Sequence, residues 1–351
     1  MKTAPIDDDS RFAPGPLFVV GIWRSGTSLL YALLNQHPCI ALMYEADFLT
    51  LQTVILWPGN AARWAARFED WNSSLSRHGI DPASIPSGIS SLARASETVY
   101  KIYAGQKRAS VWGEKSPNYY DSLRRVSGYF PNARFIVIWR DPASICRSIL
   151  RAAPRNPWFA KRGITHRALL GCEKLKVECD RLRRGRAHLR EISYHDLTSD
   201  PQRVMEGICQ FLELPFDRRM ACLEDADRSA IYEGEHHTQV KGSGIVPPQK
   251  ASEVLPQELN AKLERYVSHW RRKYGGRWPA LAGFPVSSGA AAGWVERLWD
   301  ELLYKLYRSF DWAMRLFYCW APLSLLAAYK ARKRRHDAAA IETRKTVTSD
   351  K

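Results

Sequence analysis

The residues from Phe18 to His37 have the composition and spacing of a loop that binds phosphate groups. They read FVVGIWRSGTSLLYALLNQH, in which an apolar run is followed by a glycine, four residues and a second glycine, Gly26. A loop that joins a strand to the start of a helix offers free N–H groups and the positive end of the helix dipole. The side chains that add donors to it are those of Arg24, Ser25, Thr27 and Ser28. The stretch therefore predicts an anion-binding loop, and a polar strand–helix turn without a ligand is the alternative.

This loop lacks a residue that ATP-hydrolysing enzymes need. Gly26 is followed by Thr27 and Ser28, whereas an NTP-hydrolysing loop has a lysine followed by serine or threonine at these positions. The sequence also offers no obvious carboxylate at the end of a following strand to hold Mg²⁺. ATP hydrolysis is therefore a poor fit, and an anionic donor that needs no metal fits better.

A second phosphate motif is predicted in the stretch RFIVIWRDPASICRS. Arg134–Trp139 is expected to be a strand, with Asp141 capping the next helix and Pro142 at its first position. Arg140 then lies at the carboxyl end of the strand, where ligands bind in open α/β sheets. Ser148 follows about two helical turns later, so its hydroxyl is within reach of the phosphate that Arg140 is expected to bind. A local ion pair between Arg140 and Asp141 is the alternative.

Strands that alternate with helices predict an α/β fold with a P-loop-type parallel sheet flanked by helices. The strands are predicted over residues 17–22, 40–43, 134–139 and 189–197, and helices over residues 26–35 and 201–212. Between residues 47 and 110 the chain is helical in tendency, and Trp57, Trp64 and Trp71 are spaced by seven. This spacing is typical of a buried helix face, and an aromatic wall of a substrate site is the alternative. Residues 47–110 and 151–180 are expected to shape a substrate pocket.

The overall charge predicts polyanionic partners. The 351-residue chain has a net charge of +16 and a pI of about 9.6, which suits nucleic acid, an anionic membrane or phosphate-rich substrates. Its seven cysteines form neither a C-x-x-C pair nor a zinc-type spacing, which favours a reducing compartment. Residues 1–15 contain three consecutive aspartates and no apolar run, so we expect no signal peptide and a cytoplasmic location.

These motifs resemble those of sulfotransferases that use 3′-phosphoadenosine 5′-phosphosulfate (PAPS). GIWRSGTSLL resembles their 5′-phosphosulfate loop, in the R-S-G-T-[ST] form of tyrosylprotein sulfotransferases and many bacterial relatives. Arg140 and Ser148 match the family's strand, arginine and serine eight residues later. ISYHDLTSDPQRVMEGICQFLELPF resembles the L-x-Y-E-D-L segment, with Tyr194 where the family's tyrosine approaches adenine and His195 in place of its glutamate. GEKSPNYY resembles the E-K-[ST]-P element, which implies that Lys115 lies near the transferred group.

The resemblance covers roughly residues 16–250 and implies PAPS as co-substrate, with a cationic clamp in place of a metal ion. The residues implied to bind PAPS are Arg24, Ser25, Gly26, Thr27, Ser28, Arg140, Ser148, Tyr194, Lys241 and Gly242. The last two belong to HHTQVKGSGI, which also contains Ser243 and matches the family's closing loop only loosely.

Three residues are implied to carry the chemistry. Arg24 and Lys115 are expected to stabilise the leaving oxygen, since sulfuryl transfer depends on positioning and charge stabilisation. Glu45 in ALMYEADF matches the glutamate that takes the proton of the acceptor hydroxyl. A solvated glutamate, or one paired with an arginine, is the alternative for Glu45. His37 is a rival base, although the Q-H-P helix exit favours a capping or packing role for it.

The C-terminal part of the chain predicts a helical appendage. Residues 294–317 have apolar side chains on one half of a helix and charged ones on the other. Next come fourteen uncharged residues, LFYCWAPLSLLAAY, which are fewer than the roughly 20 that span a bilayer, and then KARKRR. This pattern predicts an in-plane anchor on an anionic membrane. A helix packed on the same chain or in a dimer interface is the alternative.

The predicted organisation therefore has five parts: a mobile leader over 1–15, a sulfotransferase domain over 16–278, a linker over 279–292, membrane-anchoring helices over 293–335 and a mobile tail over 336–351. The favoured function is PAPS-dependent sulfation of a hydroxyl on a lipid, glycolipid or other small molecule at the inner face of a membrane. A P-loop kinase-like phosphotransferase and a non-catalytic membrane-associated nucleotide-binding protein are the alternatives. Nucleic-acid binding is least favoured, because the sequence contains no recognised module for it. No pattern specifies the acceptor or the oligomeric state.

Overall fold

The computed structural model of the chain describes residues 15–51, 74–86, 89, 91–161, 163–231, 240, 242, 244–245, 255–275, 278, 294–322, 324–332 and 335. Its centre is a parallel sheet with strand order β2-β3-β1-β4-β5. The strands are β1 Leu17–Val20, β2 Ile40–Tyr44, β3 Val111–Lys115, β4 Arg134–Trp139 and β5 His188–Ser193. The α-helices are α1 Thr27–Leu34, α2 Leu92–Gln106, α3 Leu123–Tyr129, α4 Pro142–Ala152, α5 Ile164–Arg184, α6 Tyr194–Ser199, α7 Pro201–Leu212, α8 Gln257–Tyr274 and α9 Trp294–Trp320.

Helices cover both faces of the sheet. In β1, Phe18 and Val20 join one apolar cluster and Leu17 and Val19 join the other, because successive strand residues point to opposite faces. The first cluster contains residues of α2, α3, α4, α5 and α8, and the second contains residues of α1 and α7. A strand buried on both faces is a continuous apolar run, which is why β1 and β4 were recognisable in the sequence. The predicted fold class is confirmed.

Most predicted elements agree with the structure to within a few residues. β4 has the predicted bounds, and α7 occupies Pro201–Leu212 as expected. The carboxylate of Asp141 accepts hydrogen bonds from the backbone N–H groups of Ala143 and Ser144 at 3.2 and 2.7 Å, so it caps α4. β1 is two residues shorter than predicted, and β2 extends one residue further, to Tyr44.

The prediction of a core strand over residues 189–197 is wrong about where the strand ends and about its position in the sheet. β5 stops at Ser193, whose hydroxyl accepts hydrogen bonds from the N–H groups of His195 and Asp196 at 3.2 and 3.5 Å and so caps α6. β5 is also an edge strand with several half-exposed or exposed residues, not a core strand.

β3 was not predicted, because Gly113 interrupts its short apolar pattern. Gly113 has φ of +147°, and a Cβ there would lie 2.1 Å from the backbone oxygen of Leu17. The glycine therefore permits close approach of β3 to β1 and does not end the strand.

The C-terminal appendage is present as the 27-residue helix α9 and a helical segment over residues 324–332. Within the described ranges, no helix has the length and apolar content needed to cross a bilayer. The predicted domain boundaries stay predictions. The tryptophans at 57, 64 and 71, residues 1–14 of the leader, the linker and the tail over 336–351 lie outside the described residues.

Candidate active site

The predicted site residues gather at one edge of the sheet, where the carboxyl ends of the strands meet. The loop from Gly21 to Gly26 follows β1, and Glu45 follows β2. Lys115 is the last residue of β3, Arg140 follows β4 and Tyr194 follows β5. Parallel strands present their carboxyl ends together, so segments far apart in the sequence converge there.

The loop after β1 makes a turn that tolerates no Cβ at its two glycines. The Ser25 N–H donates to the carbonyl of Ile22 at 2.9 Å. A Cβ on Gly21 would lie 2.4 Å from the Ser25 hydroxyl oxygen. Gly26 has φ of +101°, and its Cβ would lie 2.3 Å from the Tyr194 ring. The start of α1 is thereby brought against the aromatic residue that follows β5.

The two phosphate motifs contact each other directly. Arg24 donates from Nε to the Ser148 hydroxyl at 3.0 Å. Arg140 donates from Nη1 to the backbone oxygen of Arg24 at 2.8 Å. The Arg140 guanidinium also lies over the Tyr194 ring, 4.3 Å from its centroid. Arg24, Arg140, Ser148 and Tyr194 therefore form one cluster around the loop.

The charge of this cluster suits an anion. Burial, and next the nearby Arg140, lower the pKa of Arg24 to about 10, and burial lowers the pKa of Arg140. Within the described residues, the Ser25 hydroxyl oxygen and Arg140 Nε are buried atoms without a hydrogen-bond partner. Two half-buried guanidinium groups and two buried polar atoms without a partner are the features expected where phosphate oxygens bind.

The lysine that the loop lacks is replaced by Lys115 of β3. Its side chain is 1% exposed, and Nζ donates to the Ser28 hydroxyl at 3.3 Å. Nζ also forms an ion pair with Glu45 and lies 4.1 Å from the centroid of the Tyr44 ring. Burial lowers the pKa of Lys115, and Glu45 opposes that shift. A cation thus reaches the start of α1 from the neighbouring strand.

Glu45 occupies a tight turn after β2, with φ of +45°. Its backbone N–H donates to the carbonyl of Lys115 at 2.8 Å, and its side chain is 19% exposed. The carboxylate is thus fixed beside Lys115 while remaining accessible from solvent. The arginine partner considered from the sequence is a lysine in the structure.

Comparison with known proteins identifies the family. The sequence profile of the sulfotransferase family matches residues 16–218, more than half of the chain. The chain belongs to the sulfotransferase family. It is 23% identical over 269 residues to protein-tyrosine sulfotransferase A of Caenorhabditis elegans, covering 75% of this chain. This chain spans 64% of that relative, which is less than two thirds of its length.

Solved sulfotransferase structures also match the chain. The sulfotransferase domain from the curacin biosynthetic pathway matches with a TM-score of 0.49 and 19% identity, over 74% of this chain and 98% of that domain. Mouse sulfotransferase SULT7A1 complexed with PAP matches with a TM-score of 0.42 and 13% identity, over 75% of this chain and 87% of the mouse protein.

Several predicted site residues lie away from the cluster or outside the described residues. His37 accepts a hydrogen bond at Nδ1 from the Cys39 N–H at 3.0 Å, and its Nε2 lies 2.9 Å from the carbonyl oxygen of Pro215. Both ring nitrogens are thus engaged with backbone, which favours the capping role. Thr27 begins α1 and is buried. Gly242 is exposed, and Lys241 and Ser243 lie outside the described residues.

Sequence reasoning missed a buried acidic network directly behind Lys115 and Glu45. The carboxylate of Glu114 accepts hydrogen bonds from the Tyr100 hydroxyl, the Tyr119 hydroxyl at 2.8 Å and the backbone N–H of Asp47. Asp47, which has φ of +57°, accepts hydrogen bonds from Ser116 and Asn118. The sequence signal for this network was Glu114, which directly precedes Lys115 in β3. Neighbouring strand residues point to opposite faces of the sheet, so Glu114 points away from the side that Lys115 faces. The network holds Asp47, two residues after Glu45, and so fixes one end of the turn that carries Glu45.

Burial, and next the charge of Asp47, raise the pKa of Glu114 to about 8. The network therefore carries a proton at neutral pH that an exposed glutamate would have released.

Proposed function

We propose that this chain is a PAPS-dependent sulfotransferase that transfers a sulfuryl group to an acceptor hydroxyl without a metal ion. The observation that carries the proposal is the contact between the two phosphate motifs. Arg24 donates a hydrogen bond to the Ser148 hydroxyl, and Arg140 donates one to the backbone oxygen of Arg24. Membership of the sulfotransferase family supports it.

The residues present fit the donor. The loop N–H groups and hydroxyls from Ser25 to Ser28, with the positive start of α1, are suited to the 5′-phosphosulfate. Arg140 and Ser148 are suited to the 3′-phosphate, and the Tyr194 ring to the adenine. Lys241 and Gly242 remain predicted contacts of the closing loop. PAPS supplies an activated sulfuryl group bonded to a phosphate oxygen that leaves as an anion.

In the transfer, the bond from sulfur to the bridging oxygen breaks as a bond from sulfur to the acceptor oxygen forms. Arg24 and Lys115 are proposed to stabilise the negative charge on the leaving oxygen. Glu45 is proposed to take the acceptor's proton; the fixed position of its carboxylate beside Lys115 and its exposure to solvent support this role. The protein contributes mainly positions and charges, as a loose in-line transfer requires.

The acceptor hydroxyl is proposed to belong to a lipid, a glycolipid or another small molecule, at the inner face of a membrane and in the cytoplasm. The apolar outer face of α9 and the net charge of +16 support this location. The nematode relative is a protein-tyrosine sulfotransferase, which adds a tyrosine hydroxyl to the acceptors worth testing.

Calorimetry tests the donor site directly. Adenosine 3′,5′-bisphosphate titrated into the full chain is expected to bind, whereas ATP with Mg²⁺ is expected to bind far more weakly. Absence of binding by the bisphosphate would refute the proposal, and tight binding of ATP with Mg²⁺ would favour the kinase-like alternative. Radiolabelled PAPS incubated with lipid and metabolite extracts then distinguishes an enzyme from a binding protein, because only an enzyme yields a labelled product.

A further inference from the structure

Helix α9 packs on the body of the protein through its charged side. Asp300 is 2% exposed, and its carboxylate lies 2.7 Å from His166 Nε2 and 3.0 Å from Lys262 Nζ. The Tyr266 hydroxyl of α8 also donates to it. A carboxylate is costly to bury unless it is paired, so this cluster fixes one side of α9 against α5 and α8.

Further polar contacts repeat this arrangement along the helix. Tyr304 donates to Asp121, and Glu301 pairs with Lys174 at 2.7 Å. Asp311 pairs with Arg167 at 3.0 Å. The contacts extend over three helical turns, from residue 300 to residue 311. α9 is therefore attached to the domain over its central part.

The opposite side of α9 is apolar and exposed. Residues three and four apart lie on one face of a helix, and this face carries large side chains that are 40% to 77% exposed. They are Trp294, Val295, Leu298, Trp299, Leu302, Leu306, Tyr307, Phe310 and Trp312. An ordinary surface helix shows the reverse orientation, with its apolar stripe on the core. A contiguous apolar face of this kind marks a site of interaction with another apolar surface.

We propose that this face of α9 docks on the surface of an anionic lipid bilayer. The adjoining chemistry favours a bilayer over a second copy of the chain. The helical segment over residues 324–332 exposes Leu325 and Arg332, and its Tyr329 ring contacts the Phe317 ring of α9 at 5.4 Å between centroids. The cations Lys330 and Arg332 therefore lie close to the end of α9. Apolar burial together with basic residues is the combination that binds anionic membranes, and Trp and Tyr are enriched at the lipid headgroup level.

The docked helix lies next to the proposed site of sulfuryl transfer. Arg167, which pairs with Asp311 of α9, has its guanidinium 5.3 Å from the centroid of the Trp23 ring. Trp23 immediately precedes Arg24 and contacts the Trp158 ring at 4.8 Å between centroids. We infer that the acceptor presents its hydroxyl at the lipid–water interface. This part of the inference rests on the proposed sulfotransferase activity, whereas the docking of α9 does not.

Vesicle flotation of the full chain tests the docking surface. Phosphatidylcholine vesicles containing about 25% phosphatidylglycerol are expected to carry the protein, and pure phosphatidylcholine to carry roughly tenfold less of it. The double variant Leu298→Glu and Leu306→Glu is expected to partition at least roughly tenfold more weakly. A matched control, Gln202→Glu with Gln210→Glu on α7, changes the net charge equally and should bind within about twofold of the wild type.

Folding and donor binding are measured separately. Both substituted leucines are exposed, so the variant should keep its circular dichroism and its affinity for adenosine 3′,5′-bisphosphate. Equal flotation of the variant and the wild type would overturn the proposal. The proposal would also be overturned if the wild type bound no vesicles and instead formed a dimer that the two leucine substitutions dissociated. Loss of bisphosphate binding with intact flotation would instead refute the sulfotransferase proposal alone.

Hydrogen exchange tests the position of the site relative to the bilayer. With anionic vesicles, peptides from α9 and a peptide spanning Trp158 and Phe159 are expected to exchange more slowly, while α7 peptides stay unchanged. Protection confined to α9 would contradict the placement of the transfer site at the interface.

Discussion

The buried carboxyl of Glu114 makes a specific prediction about stability and pH. Its pKa is raised to about 8 in the folded protein by burial and by Asp47, from an ordinary value of 4.5. Between those values the folded chain retains a proton that the unfolded chain has released. The free energy of unfolding must therefore decrease as the pH rises through this window.

The size of the effect follows from those two pKa values. For a single site, the loss of unfolding free energy between about pH 6 and about pH 8 is about 2 kcal/mol. The substitution Glu114→Gln removes the titration while keeping an amide oxygen for the Asp47 N–H and an NH₂ group for the Tyr100 and Tyr119 hydroxyls. The unfolding free energy of the variant should therefore decrease by about 2 kcal/mol less than that of the wild type over this pH range.

Urea unfolding of both proteins at several pH values measures this difference. Other titrations cancel in the comparison, including that of His78, whose pKa burial lowers to about 4. Glu206→Gln on the exposed surface of α7 is the control, and its pH profile should parallel that of the wild type. Parallel profiles for Glu114→Gln and the wild type between about pH 6 and pH 8 would show that Glu114 is ionised throughout, and the reasoning would fail.

Three further substitutions test the site. Arg140→Ala should weaken binding of adenosine 3′,5′-bisphosphate roughly tenfold or more by calorimetry, because a charge-assisted contact is lost. The exposed Arg203→Ala variant is the control and should keep the wild-type affinity. An unchanged affinity of Arg140→Ala would remove Arg140 from the donor site. Glu45→Gln should lower kcat roughly 100-fold with little change in the KM for PAPS, since an amide cannot take the acceptor's proton; undiminished turnover would eliminate Glu45 as the base. Gly26→Ala should cost about 1–3 kcal/mol of unfolding free energy, because its positive φ and the Tyr194 ring both oppose a Cβ. Gly128→Ala, where a Cβ would meet no atom within 4 Å, should cost nothing, and equal stabilities of the two variants would contradict this account.

The sequence revealed the parts of the site whose signals are local. Two glycines after an apolar run predicted the loop, and Asp141 with Pro142 predicted the start of α4, because each depends on neighbouring residues. β3 was missed because Gly113 is explained only by its contact with Leu17, which is distant in sequence. The proximity of Lys115 to Ser28 required the order of β3 and β1 in the sheet, which no local pattern contains.

The orientation of α9 also depends on contacts that are distant in sequence. Amphipathicity was evident from the sequence, and a helical period assigned its two faces correctly. Which face packs on the protein depended on partners such as His166, Lys262 and Tyr266, whose positions are set by the packing of α5 and α8. The usual rule that apolar faces turn inward would have given the opposite orientation.

The position of Lys115 differs from that of the lysine in an NTP-hydrolysing loop. In an NTP-hydrolysing loop the lysine precedes the first helical turn directly. Here the ammonium group comes from β3 and contacts both Ser28 at the start of α1 and the carboxylate of Glu45. Because burial alone would favour neutral Lys115, the negative charge of Glu45 helps to keep the lysine protonated. In the proposed mechanism, Glu45 as the base therefore also helps to maintain the positive charge of the lysine assigned to the leaving oxygen, so both proposed roles depend on one ion pair.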